Sequence, residues 1–101
     1  MDFKVKENNT QKAVIAICGE LDTAAAQQFA TELKPFIADA GKEIAIDFNE
    51  LEYISSAGMR SLLLLNKNAT AMGGRVSIEG MNEDIRQLFQ MTGFDQMFNI
   101  K

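Results

Sequence analysis

Two adjacent hydroxyls, Ser55 and Ser56, stand where a helix-like stretch begins, and Gly58 follows two residues after the second. Either hydroxyl can cap the free amides of a helix start, an interaction worth about 1 kcal/mol. Either can also be esterified. A phosphate on Ser56 adds about −1.5 to −2 charges. The amides and macrodipole of a helix start favour that charge by about 0.3–1 kcal/mol. The fold therefore tolerates the modification. A partner docked over the same edge would have to desolvate a dianion beside Glu50 and Glu52, so phosphorylation leaves the domain intact and breaks its contact.

Little other chemistry is open to this chain. It has no His, which removes Ser-His-Asp and Cys-His nucleophile systems and the commonest metal ligand. Cys18 is the single cysteine, so no internal disulfide forms, and it reads as an inert buried thiol closing an apolar strand. Gly73-Gly74-Arg75 leads into a strand, whereas a phosphate loop leads into a helix, so the pair is a helix stop. A non-enzyme without cofactor or metal is expected. With 10 Lys and Arg against 14 Asp and Glu and a net charge of −4, no nucleic-acid or anionic-membrane surface is expected either. Proteins are the expected partners. The first residues, MDFKVKENNT, hold charges and no apolar stretch, so a cytoplasmic protein is expected. No apolar run reaches the ~20 residues of a membrane helix.

The elements that must position the serines alternate between strand and helix. At 101 residues and 47% hydrophobic content the chain reads as one domain, 1–101. Phe3 and Val5 alternate with polar residues, Asn8-Asn9 turns the chain, and Ala13 to Cys18 returns as a buried strand, giving a hairpin. Leu21 to about Ala40 is helical, capped by Asp22 or Thr23 and interrupted at Pro35, with Leu21, Ala25, Phe29, Leu33, Phe36 and Ile37 facing the core. Glu43 to Phe48 is a strand, Asn49 to Ile54 a link, and Ser56 to Ala71 a helix ended by Gly73-Gly74. Arg75 to Glu79 is a strand, Asn82 caps a helix to about Met91, and Met97 to Ile100 is a last short strand. The order β-β-α-β-α-β-α-β implies an α/β domain with a mostly parallel mixed sheet and covering helices. Loops that follow parallel strands gather at one edge, so Gly19 to Thr23 and Asn49 to Gly58 are expected to be neighbours.

On the helix after Ser56, Met59, Leu62, Leu65, Ala69 and Met72 share one face. Leu64 falls on the polar side with Arg60 and Lys67, an apolar residue between two cations that suits an acidic partner surface. Met59, Met72, Met91 and Met97 read as core filler.

Three stretches together resemble a known family. Asp47-Phe48-Asn49, then Tyr53-Ile54, then Ser55-Ser56-Ala57-Gly58-Met59 is similar to the signature of stand-alone STAS domains, the anti-sigma-factor antagonists. Gly19-Glu20-Leu21-Asp22 with Ala25-Ala26 agrees, as does Val76 to Phe98 with Gly80-Met81, Leu88-Phe89 and Thr92-Gly93-Phe94-Asp95. The resemblance covers nearly the whole chain. It implies a single STAS domain that binds an anti-sigma factor, itself a serine kinase, and so frees a sigma factor. It maps the phosphorylated serine onto Ser56, places Asp22 in the partner face, and implies a metal-dependent serine phosphatase as the restoring partner. With the helix start and its exposed strip, the expected partner face is Asp22, Ser55, Ser56, Gly58, Met59, Arg60, Leu64 and Lys67. The chain departs from the signature where Ser55 replaces the usual Asp and Ala57 a hydroxyl. Ser55 is thus an alternative acceptor. A constitutive adaptor module of a transporter or other signalling complex is the alternative function.

Overall fold

The computed structural model describes residues 1–101. β1 (Asp2–Asn8) and β2 (Lys12–Leu21) form the expected antiparallel hairpin. Asn9 closes its turn, because its side-chain oxygen accepts from the N–H groups of Gln11 and Lys12 at 2.9 and 2.8 Å. α1 spans Thr23–Ala38, β3 Glu43–Asp47, β4 Leu51–Ile54, α2 Ser56–Met72, β5 Arg75–Glu79 and α3 Glu83–Thr92. A 3₁₀ turn at Phe94–Gln96 precedes β6, Asn99–Ile100. The sheet runs β1-β2-β3-β5-β6, antiparallel only at the hairpin.

One expected link is a strand. β2 has ten residues and β3 five, so β3 pairs only Lys12 to Ala16 and the far end of β2 needs another neighbour. The chain bends after Asp47 and resumes as β4, which pairs in parallel with Gly19, Glu20 and Leu21. Gly19 lies opposite Leu51 and Glu20 opposite Tyr53, so Glu52 is a bulge. With Leu51 and Ile54 buried and the two residues between them exposed, β4 lacks the alternation by which a strand is read from sequence.

Register places Ile15, Ile17, Ile44, Ile46, Val76 and Ile78 on one face of the sheet, and all are buried in one core with the helices. The helices cover that face alone. Val14, Cys18, Ala45 and Asp47 on the other are only partly buried, which corrects the expectation that Cys18 is buried. Lys6 is the extra residue of a bulge in β1 and reaches across β2 to Asp47 on β3, Nζ to Oδ2 3.0 Å, above the small Ala16.

α1 packs Ala26, Phe29, Leu33 and Phe36 into the core, where Phe3 of β1 stacks 6.1 Å from Phe29 and 6.0 Å from Phe36. Ala25 and Ile37 are only partly buried, and Leu21 belongs to β2. The helix runs unbroken through Pro35, which is exposed in its last turns and whose carbonyl still accepts from the Asp39 N–H. On α3, Ile85 and Phe89 are buried, and Phe89 sits 6.4 Å from Phe48, 6.0 Å from Phe94 and 6.0 Å from Phe98. The methionines expected as core filler divide. Met59 is buried, but Met72, the last residue of α2, Met91, off the buried face of α3, and Met97, between the 3₁₀ turn and β6, lie at least half exposed.

Candidate partner-docking site

The two loops predicted to be neighbours are joined directly. The Gly19 N–H donates to the Glu50 carbonyl and the Ser55 N–H to the Leu21 carbonyl, both at 2.8 Å. α1 and α2 therefore start side by side at one edge of the sheet, and each has its own cap. Asp22 Oδ1 accepts from the Ala25 N–H at 2.8 Å, and Ser55 Oγ from the Gly58 N–H at 3.2 Å.

That division of labour separates the two hydroxyls. Ser55 is 5% exposed and its oxygen is committed to the helix start. Ser56 is the first residue of α2, exposed, with no side-chain bond to the rest of the protein. Its own N–H and that of Ala57 have no carbonyl partner, as the first turn of a helix requires. The first turn of α2 holds no acidic residue, and Arg60 one turn on is exposed and in no ion pair. As an alternative acceptor or a partner contact, Ser55 would first have to leave its buried cap.

Gly58 and Met59 are also inside. A Cβ at Gly58 would stand 2.8 Å from Leu21 Cγ and 3.2 Å from Ile54 Cγ1, so glycine is what lets α2 settle on β2 and β4. Met59 is 4% exposed, on the core face of α2. These residues shape the edge from beneath. Asp22, Ser56, Arg60, Leu64 and Lys67 are the residues at the surface.

The surface set is not one patch. Leu64, 51% exposed, lines a groove between α1 and α2 with Ala26, Ala30, Ala57 and Arg60, a volume of about 520 Å³. Lys67 instead borders a second hollow with Leu63, Ala71 and Met97. A third groove, between β4 and α3, went unread in the sequence because it needs β4. It is lined by Tyr53 of β4 and by Leu88 and Met91 of α3, the last of which was expected in the core.

Asp47 does the structural work expected of it. Its Oδ1 accepts from the Asn49 N–H at 2.8 Å and from Asn49 Nδ2 at 2.6 Å, holding the bend between β3 and β4. Partial burial pushes its carboxyl up, but the Asn49 N–H, the Lys6 ammonium and the Asn49 amide outweigh that and hold it below the ordinary 3.8. Lys6, hydrogen-bonded to Asp47 and attracted by its charge, is held above 10.5.

A family model described as "Mlab, STAS domain" matches residues 5–99. The chain belongs to the STAS-domain family. An anti-sigma-B factor antagonist of Bacillus subtilis is 28% identical to this STAS domain over 99% of the chain and 88% of the relative. One of Listeria monocytogenes is 24% identical over 100% and 89%. Among solved structures, the Bacillus cell fate determinant SpoIIAA in its phosphorylated form superposes with a TM-score of 0.75 at 23% identity, covering 99% of this chain and 91% of that one. The shared architecture is the small α/β domain described above. No helix of this STAS domain is long and apolar enough to cross a membrane.

Proposed function

We propose that this STAS domain is an anti-sigma factor antagonist whose binding is switched off by phosphorylation of Ser56. The unmodified edge, with Asp22, Ser56, Arg60 and Leu64 outward, binds an anti-sigma factor that is also a serine kinase, and that binding releases a sigma factor. A serine phosphatase restores the edge.

The observation that carries the reading is the separation of the hydroxyls. Ser55 holds the cap, so Ser56 is free to receive phosphate without loss of the helix start, and the unpaired amides of the first turn and Arg60 accept the added charge. The fold survives and the docking edge does not, since a partner would have to strip water from a dianion to reach it. Two relatives carry the name anti-sigma-B factor antagonist, and the fold is shared with a protein solved in a phosphorylated form.

Intact-mass analysis and residue mapping of the protein taken from its host, with Ser56→Ala alongside, tests this. One phosphate on Ser56, with a kinase recovered mainly by the unmodified protein, is the expected result. Protein that is unmodified in all growth conditions, with the Ala variant capturing the same partners, replaces the switch with a constitutive adaptor.

A further inference from the structure

The groove between β4 and α3 has a volume of about 280 Å³, floored by Ile54 and Ile85 and walled by Tyr53, Leu88 and Met91. Met91 is 84% exposed, more than any other large apolar side chain of the molecule, and Tyr53 is 51% exposed. Covering them would remove apolar surface from water at a site already concave. The charged residues that line the groove, Glu52 and Asp84, are both acidic. Asp84, Leu88 and Met91 follow one another at helical spacing along this flank. Arg86, the sole cation of α3, lies roughly 160° around the helix from Asp84. No positive charge competes for the rim.

The free edge of β4 is closed to strand addition. At the Glu52 bulge the Asn82 side-chain amide donates to the carbonyls of Leu51 at 3.2 Å and Glu52 at 3.3 Å, taking the groups that an added strand would need. What remains is an apolar slot with acidic lips, the complement of an amphipathic helix.

We propose that the β4–α3 groove docks a helix of a second protein, with an apolar anchor seated between Tyr53, Leu88 and Met91 and Lys or Arg residues facing Glu52 and Asp84. This contact is separate from the edge at Ser56, where Arg60 gives the groove beside it the opposite sign, and it stands whether or not Ser56 is phosphorylated.

Short helical peptides displayed on phage and panned against the full chain test it, with Asp84→Lys and Met91→Lys chains as counter-selection. Both positions are exposed, and thermal melts confirm that the variants fold. The selected peptides are expected to place Lys or Arg around a Leu-type anchor. Their binding by fluorescence anisotropy weakens about tenfold in either variant and holds in Ser56→Asp. Amide shifts on binding are expected to cluster at 52–54 and 84–91. Failure to enrich any peptide overturns the proposal, as do acidic selected peptides or binding that survives both substitutions. So does self-association by light scattering that Met91→Lys abolishes, because it assigns the groove to a second copy of this chain.

Discussion

Two grooves of this STAS domain are built from different materials. The one between α1 and α2 is lined by Ala26, Ala30, Ala57 and Leu64 with Arg60 as its charge, so small side chains let two helices approach and leave a shallow trough. The one between β4 and α3 is lined by Tyr53, Leu88 and Met91 with Glu52 and Asp84, large flexible side chains beside a strand edge. Apolar surface is common to both. Rim charge tells them apart, and charge governs which partner approaches and in what orientation. A single small domain thereby presents one groove with a cationic residue at its rim and one with acidic residues at its rim.

The largest blow to this contrast falls on Phe89, which is fully buried beneath α3 among Phe48, Phe94 and Phe98. Phe89→Ala is expected to cost about 3–5 kcal/mol in urea unfolding. Amide shifts that spread through α1 as strongly as α3 would show the two grooves to be one mechanical unit. Leu64→Asp addresses the other trough. It is expected to weaken the partner of the Ser56 edge about tenfold while stability stays within about 0.5 kcal/mol, because Leu64 is half exposed. An unchanged dissociation constant removes the α1–α2 groove from the interface.

Ser55→Ala is expected to lower stability by about 1 kcal/mol through loss of the α2 cap, whereas Ser56→Ala leaves it unaltered and abolishes phosphorylation. Equal effects of the two substitutions on the melting temperature would erase the distinction between cap and acceptor. The smallest effect concerns the bend that feeds both grooves. Because Asp47 is held below 3.8 in the fold, its contribution to stability is complete above that value and is lost as pH falls through the lowered folded value. Lys6, raised above 10.5, contributes below that value and loses its share as pH rises through the folded one. The stability gap between the protein and Asp47→Asn is therefore expected to close on acidification below about pH 4.

Much of this was legible before the fold. The hairpin, the Gly73 stop, the Asn82 cap and the exposure of Leu64 follow from local rules of alternation, capping and helical spacing, and the structure bears each out. What escaped were consequences of tertiary partnership. β4 exists because β2 outruns β3, a difference in length that no window of sequence contains. The same holds for the buried side of the docking edge. Ser55 and Gly58 adjoin Ser56 in the chain, yet Ser55 is turned in by its cap on α2 and Gly58 by its packing on Leu21 and Ile54, whereas the core position of Met59 follows from helical spacing. Met91 was misjudged because apolar character alone does not say which flank of α3 meets the core.

The sharing of β2 between β3 and β4 divides the sheet by strength. β3 is flanked by β2 and β5, while β4 is four residues long, bulged, and paired with β2 alone. Local opening is cheapest where few pairings must be broken. In hydrogen exchange, the amides of β4 are expected to trade with solvent well before those of β2 and β3. The segment that leads into Ser56 can then loosen as a separate small unit, freeing the backbone around an already exposed hydroxyl while the rest of the sheet stays closed.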